Sequence, residues 1–147
     1  MEVYIAMEGF TLPSDFVLKE LFELFPNGEY NHLLFLPPDI ALTEADKRTV
    51  RYTTKNLNNI SYFDGDVPYN QLHEILSKLR DYKIYTYSEV AVKTLQSHLP
   101  MTVIINIQDM GFKMPGQPED PCCFRIHNHR YCAKAKGLAI KSFMDNL

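Results

Sequence analysis

The sequence has no tryptophan, only three cysteines, and no apolar run near the roughly 20 residues that a membrane-spanning helix needs. The N-terminal stretch MEVYIAMEGF carries neither a basic region nor a long apolar segment, so we predict no signal peptide. An odd number of cysteines without a signal favours a reducing compartment over a disulfide framework. These absences argue against membrane and disulfide-rich secreted classes. They predict an intracellular protein, with nothing that favours nucleus over cytoplasm.

What is present fits a folded domain. The chain has 147 residues, and 46% of them are hydrophobic. That content supports a packed core and argues against disorder. The length is typical of one domain, so we predict a single domain over residues 1–147.

Charge is unevenly distributed along the chain, although the net charge is only −3. Residues 1–46 hold nine acids and one base, whereas residues 122–141 hold five bases and no acid. A second basic group, Lys47, Arg48, Arg51 and Lys55, lies between them. Local positive charge on a mildly acidic chain fits nucleic-acid binding on one face, and it is equally typical of solvated helix faces.

Hydrophobic periodicity predicts an α/β fold. Strand patterns cover residues 2–8, 15–24 and 30–38, and short turns link them, as in an antiparallel meander. Helical patterns follow at 42–57, 70–80, 88–99 and 131–147, with strands at 83–88 and 101–107. The first of these helices opens with Thr43 and has Asp46 three residues later, an N-cap signal. Strand–helix–strand units require parallel pairing and right-handed crossovers. We therefore predict a mixed five-stranded sheet, with three antiparallel strands followed by parallel strands and with helices on both faces.

All three cysteines lie in the stretch CCFRIHNHRYC. Cys123, His127 and Cys132 supply three zinc-type ligands, one fewer than a structural zinc site needs. His129, Cys122 or a distant carboxylate would complete the set. The alternatives are that the cysteines are small buried apolar residues, or that one of them pairs with a histidine as a nucleophile.

The order of the predicted elements, with Glu8 ending the first strand, Glu20 in the second and the Cys/His cluster before the last helix, resembles the ribonuclease H-like DEDDh exonuclease superfamily. Two of its branches are particularly similar, the Maelstrom domain and the exonuclease domain of arenavirus nucleoproteins. This resemblance implies a structural zinc held by Glu20, Cys123, His127 and Cys132. Glu23 and His129 are the alternative ligands.

The same resemblance indicates a degenerate catalytic centre. Members of the superfamily use four acids to hold two divalent metals, which activate water and stabilise the leaving oxygen. Only Glu8 matches an acid of that motif; Ala6, Tyr131 and Lys136 occupy other positions of it. A lysine in place of an acid repels Mg²⁺, so we expect Mg²⁺ or Mn²⁺ to bind only if nuclease activity survives. The Maelstrom domain likewise keeps the zinc ligands and lacks the exonuclease acids.

The resulting hypothesis is a zinc-stabilised, catalytically degenerate protein, non-enzymatic or weakly active, that binds nucleic acid, with RNA favoured, in RNA silencing or in viral or transposon-related processes. The candidate contacts are Arg125, Arg130, Lys134 and Lys136, with Arg48 and Arg51 on a second helix. One alternative is an active metal-dependent 3'-5' exonuclease that uses Glu8 with acids such as Glu89 and Asp109. The other is a scaffold for protein partners. No membrane partner is expected.

Overall fold

The computed structural model describes residues 1–114 and 132–147. Its sheet has the strand order β3-β2-β1-β4-β5. The β1/β2 and β2/β3 pairs are antiparallel, and the β1/β4 and β4/β5 pairs are parallel. The predicted mixed five-stranded sheet is thus confirmed. The strands are β1 (Glu2–Thr11), β2 (Phe16–Leu24), β3 (Tyr30–Leu34), β4 (Lys83–Thr86) and β5 (Ile104–Asn106).

Helices cover both faces of the sheet because β1 is apolar on both of its faces. Val3 and Ile5 belong to one buried cluster, which α2 and α3 complete. Tyr4 and Ala6 belong to a second cluster, which α4 completes. The helices are α1 (Glu44–Thr53), α2 (Leu72–Ser77), α3 (Glu89–His98) and α4 (Ala133–Asp145).

Several predicted elements are shorter in the structure. The predicted strand at 101–107 contains only the three residues of β5. It ends because the Asn106 side chain accepts a hydrogen bond from the Gln108 N–H and starts a 3-10 turn. The helix predicted at 42–57 begins with the expected capping box of Thr43 and Asp46, and a π-helical turn at Thr54–Asn58 follows α1. Among the described residues, no helix is long and apolar enough to cross a membrane.

A β-bulge at Lys19 determines which residues of β2 face α4. Glu8 pairs with Glu20 and Gly9 pairs with Leu18, so Lys19 is the extra residue. Lys19 is 1% exposed. Its ammonium donates to the carbonyls of Phe35 (2.7 Å), Tyr62 (2.9 Å) and Asp64. Burial lowers the pKa of Lys19 to about 8, while the three carbonyl acceptors favour its charged form.

The bulge changes the alternation of β2 in a way that matters for the site. Leu18 and Leu21 both contribute to the cluster under α2 and α3, although an unbroken strand would place them on opposite faces. Phe22 packs in the cluster under α4, and Glu20 bonds to the first residue of α4. A strand without the bulge could not satisfy both sets of contacts.

Candidate functional site

Two carboxylates lie side by side under the start of α4. Glu8 of β1 and Glu20 of β2 are direct cross-strand partners. Like charges opposite each other in a sheet destabilise it unless other groups compensate for them. The first turn of α4 contributes to both. The Ala133 N–H donates to Glu20, and the Lys136 ammonium contacts Glu8. We call Glu8 and Glu20 the carboxylate pair.

Glu8 forms an ion pair with Lys136 at the rim of a small cavity. The two side chains are 13% and 18% exposed, so water screens the pair only weakly. The cavity has a volume of about 160 Å³ and is also lined by Ala6 and Ser88. Among its lining residues in the described ranges, Glu8 is the only carboxylate. Ala6 contributes a methyl group to the apolar cluster beneath α4.

Ser88 lines the same cavity in a strained backbone conformation. Its φ is 92°, a region that favours glycine, and such residues cost about 1–3 kcal/mol. Ser88 precedes α3, and its hydroxyl accepts a hydrogen bond from the Ala91 N–H at 3.2 Å. The Asn106 side chain accepts the Ser88 N–H at 3.2 Å. These bonds hold the start of α3 against the cavity. The sequence carries no signal for the unusual φ.

Glu20, the second member of the carboxylate pair, is fully buried. One carboxylate oxygen accepts the Ala133 N–H at 2.8 Å. The other lies 2.6 Å from Nε2 of His32. Cys132, also fully buried, directly precedes Ala133 and is the N-cap residue of α4. The structure therefore places two of the predicted zinc ligands, Glu20 and Cys132, at the start of one helix.

His32 was not identified as a site residue from the sequence. It pairs with Phe22 on the neighbouring strand, so it is the diagonal neighbour of Glu20. Such neighbours share a face of the sheet and are within reach of long side chains. The signal was therefore available once the register of β2 and β3 was known, and that register is set by the turn between the two strands.

The remaining predicted ligands, Cys123 and His127, lie outside the described residues, as do Tyr131, Arg125 and Arg130. Within residues 1–114 and 132–147, no three His, Cys, Asp or Glu side chains form a group that could hold a metal ion. The described part of the chain offers one carboxylate and one thiol near the same helix start, and zinc accepts both donor types. This donor chemistry fits the ligand set implied by the family resemblance.

The acids considered for an active nuclease lie elsewhere. Glu89 is exposed at the first position of α3, and Asp109 is exposed in a 3-10 turn after β5. Neither belongs to the lining of the cavity that Glu8 and Lys136 share.

Two basic surfaces are visible in the described residues. On α4, the Lys134 ammonium lies 5.2 Å from the ring centre of Tyr30, a cation–π contact. On α1, Arg48, Arg51 and Tyr52 are exposed at helical spacing, and Lys55 follows in the π-helical turn. Tyr52 is 60% exposed. We call Arg48, Arg51, Tyr52 and Lys55 the basic stripe.

Comparisons with protein-family models, with curated proteins and with solved structures find no match for this chain. The assignment of a function therefore depends on the geometry above.

Proposed function

We propose that this chain is a catalytically degenerate ribonuclease H-like module that binds nucleic acid, with RNA as the favoured ligand. Its support begins with the strand order β3-β2-β1-β4-β5, in which three antiparallel strands precede two parallel ones. That order, with helices on both faces of the sheet, is the arrangement expected of the ribonuclease H-like fold. A fold alone does not specify an activity, so the proposal rests on the site.

The observation that carries the proposal is the ion pair between Glu8 and Lys136. Two-metal nucleases need several acids that hold two divalent ions about 3.5–4 Å apart. Here Glu8 is the only acid in the cavity lining among the described residues, and an ammonium group already neutralises it. A divalent ion at Glu8 would have to displace Lys136 or tolerate its charge. The pair therefore opposes the chemistry that the fold otherwise supports.

The size of the cavity points the same way. Its volume of about 160 Å³ is below the roughly 300–1,000 Å³ of typical small-molecule sites. A nucleotide with two metals needs more room than this. Binding on the outer surface is more consistent with the structure than enclosure of a strand end.

The basic stripe offers such a surface. Arginine and lysine side chains contact phosphates, and an exposed tyrosine among them can stack on an unpaired base. Lys134 and Tyr30 provide a second combination of cation and aromatic ring on α4. This interleaving of charge and aromatic surface favours single-stranded RNA or DNA over a protein partner.

Salt-dependent binding tests this surface. Labelled single-stranded RNA and DNA would be titrated at several salt concentrations with the wild type and with an Arg48→Gln/Arg51→Gln variant. Each lost phosphate contact lowers the steepness of log K against log salt by about 0.7, so we expect a decrease of about 1.4. A Lys78→Gln/Lys93→Gln variant is the matched control, because it removes the same charge from exposed residues at α2 and α3. Equal effects of the two variants, or no binding by the wild type, would refute this interface and favour a protein scaffold.

We also propose that a structural zinc is held by Glu20 and Cys132 together with Cys123 and His127. Bound there, zinc would crosslink the last helix to the sheet and add to the free energy of folding. The support is the fully buried carboxylate of Glu20 at the start of α4, next to the buried Cys132. His32, 2.6 Å from that carboxylate, is suited to orient it.

Metal analysis of purified variants tests the zinc assignment. We expect Glu20→Ala to lose about one equivalent of zinc and to melt at a lower temperature. The control is Glu29→Ala, which removes an exposed carboxylate from the β2–β3 turn. Unchanged zinc content in Glu20→Ala would exclude this carboxylate as a ligand, even if the melting temperature falls.

Loss of catalysis has its own test. End-labelled single- and double-stranded RNA and DNA would be incubated with the protein in Mn²⁺ and in EDTA. Intact substrate in every condition is the expected result. Metal-dependent shortening from one end, abolished by Glu8→Gln, would overturn the degenerate-site proposal and establish the alternative of an active exonuclease.

A further inference from the structure

Two histidines that are not among the candidate zinc ligands meet on the surface, where α2 and α3 come together. His73 lies in α2, and His98 is the last residue of α3. Their Nδ1 atoms are 3.0 Å apart. The ring centres are separated by 5.2 Å, with an angle of 38° between the ring planes. This contact joins two helices that cover the same face of the sheet.

The pair opens into a cavity rather than into the core. Both imidazoles line a surface cavity of about 390 Å³, together with Arg80 and Asp81. The backbone around them is held in place. The Ser77 hydroxyl donates to the His73 carbonyl at 2.7 Å, and the Thr102 hydroxyl donates to the Arg80 carbonyl at 2.8 Å. The two rings are thus presented to solvent by a fixed backbone.

The separation of the two nitrogen atoms matches the span of a shared metal ion. Zinc–imidazole bonds are about 2.0–2.1 Å long, so two ligands at angles between 90° and 109° have nitrogens about 2.9–3.4 Å apart. The observed 3.0 Å lies within that range. To share an ion, both imidazoles would bind it through Nδ1 and carry their protons on Nε2. Without an ion, one Nδ1–H donates to the other nitrogen.

We propose that His73 and His98 form a second metal site, which takes a divalent transition-metal ion of the Zn²⁺, Ni²⁺ or Cu²⁺ class. Imidazole is a preferred ligand of these ions, whereas Mg²⁺ and Ca²⁺ prefer oxygen. Because the described residues contain no group of three metal-type side chains, this is a site with two protein ligands. The other coordination positions face the cavity and are filled by water or by an external ligand.

The ion would act as a clamp between helices. α2 has only six residues, too few to be stable as an isolated helix. A metal ion coordinated by both His73 and His98 would connect α2 to the ten-residue α3. Because an ion that binds only the folded state stabilises it, the site makes stability dependent on metal concentration.

Calorimetric titration of the untagged, zinc-loaded protein with NiCl₂ tests the site. We expect one additional Ni²⁺ to bind the wild type, and His73→Gln and His98→Gln each to weaken that binding by at least about tenfold. Ser97→Ala is the matched control, because it alters the neighbour of His98 and keeps both imidazoles. Unchanged Ni²⁺ binding in either histidine variant, or no binding to the wild type at millimolar Ni²⁺, would overturn the proposal.

Spectroscopy identifies the ligands independently. With one added equivalent of Cu²⁺, we expect electron paramagnetic resonance to show nitrogen couplings in the wild type and in Ser97→Ala. Those couplings should decrease in each single variant and disappear in the double histidine variant. A spectrum that persists in the double variant would place the copper at other residues and would refute the assignment. Because Glu20 and Cys132 stay intact throughout, failure here would leave the proposed zinc site unaffected.

Discussion

Replacing Lys136 by methionine tests the observation on which the proposed function depends. Methionine keeps most of the side-chain volume and a high helix propensity, so the main change is the loss of the ammonium group. Glu8, which is 13% exposed in the wild type and lies beside Glu20, then loses the ammonium group of Lys136. We expect a less stable protein, because a largely buried carboxylate has lost the positive charge that neutralises it.

The magnitude follows from the burial of the pair. Two opposite charges about 4 Å apart attract by about 4 kcal/mol at an effective dielectric constant near 20. The substitution also removes the cost of burying the Lys136 ammonium, which offsets part of the lost attraction. Breaking fully buried pairs costs about 3–5 kcal/mol. Exposures of 13% and 18% place this pair below that range, so we expect a loss of about 2–3 kcal/mol. For a chain of this length, the melting temperature would fall by about 6–10 °C.

Urea unfolding of a double-mutant cycle isolates the interaction. Glu8→Gln with Lys136→Met removes both charges, and we expect it to recover most of the lost stability, with a coupling energy of about 1–3 kcal/mol. If the free energy of unfolding of Lys136→Met is within about 0.5 kcal/mol of the wild-type value, the ion pair does not hold the carboxylate pair in place. In that case the argument against metal binding at Glu8 would lose its basis.

Three further substitutions test other parts of the structure. Gly137→Ala should destabilise the protein by about 1–3 kcal/mol, because the new methyl overlaps the buried Phe22 ring and outweighs the gain of about 1 kcal/mol in helix propensity; an unchanged urea midpoint would contradict this packing. Burial raises the pKa of Glu23 to about 7, so wild-type stability should fall as pH rises from 4.5 to 7. The free energy of unfolding of Glu23→Gln, relative to the wild type, should therefore rise by up to about 3 kcal/mol between pH 4.5 and 8. If urea unfolding gives the same difference at both pH values, the raised pKa of Glu23 is refuted. Lys19→Met should cost about 2–4 kcal/mol because two buried carbonyls and the partly buried carbonyl of Asp64 lose their donor, and a loss of stability below about 1 kcal/mol in thermal melting would contradict that role.

Periodicity predicted the sheet better than the lengths of its elements. The apolar segments of β1 and β2 and the helical spacing in α2 and α3 reflect burial, which is what the hydrophobic pattern measures. Element ends depend on single side-chain bonds instead. The Asn106 bond that ends β5 is an example, because nothing in the apolar pattern marks it. The start of α1 is different, because the sequence signal of Thr43 and Asp46 marks it and the structure shows the capping box there.

The candidate site was predicted residue by residue only where chemistry gave a signal. Lys136 was singled out in the sequence because the family resemblance implies an acid at that position, and the structure places Lys136 against Glu8. The alignment of Glu8 with Glu20 was not visible, because a strict alternation contains no information about an extra residue at Lys19. His32 was missed for a different reason: its relation to Glu20 depends on the register of β2 and β3, which the turn between them sets.

The carboxylate pair explains what a lysine does in this position. Two acids side by side within β1 and β2 repel each other, and a nuclease offsets such repulsion with divalent metal. In this chain, the Lys136 ammonium offsets the charge of Glu8, and the first N–H of α4 meets Glu20, where the helix dipole also favours negative charge. The protein itself supplies these contacts, so the first turn of α4 stays packed against β1 and β2 without Mg²⁺ or Mn²⁺. Consequently, adding Mn²⁺ should leave the melting temperature of the wild type unchanged. In Lys136→Asp, where a second acid would join Glu8 at the cavity, Mn²⁺ should raise it. A similar rise in the wild type that persists in the His73→Gln/His98→Gln variant would show that Lys136 does not exclude the metal.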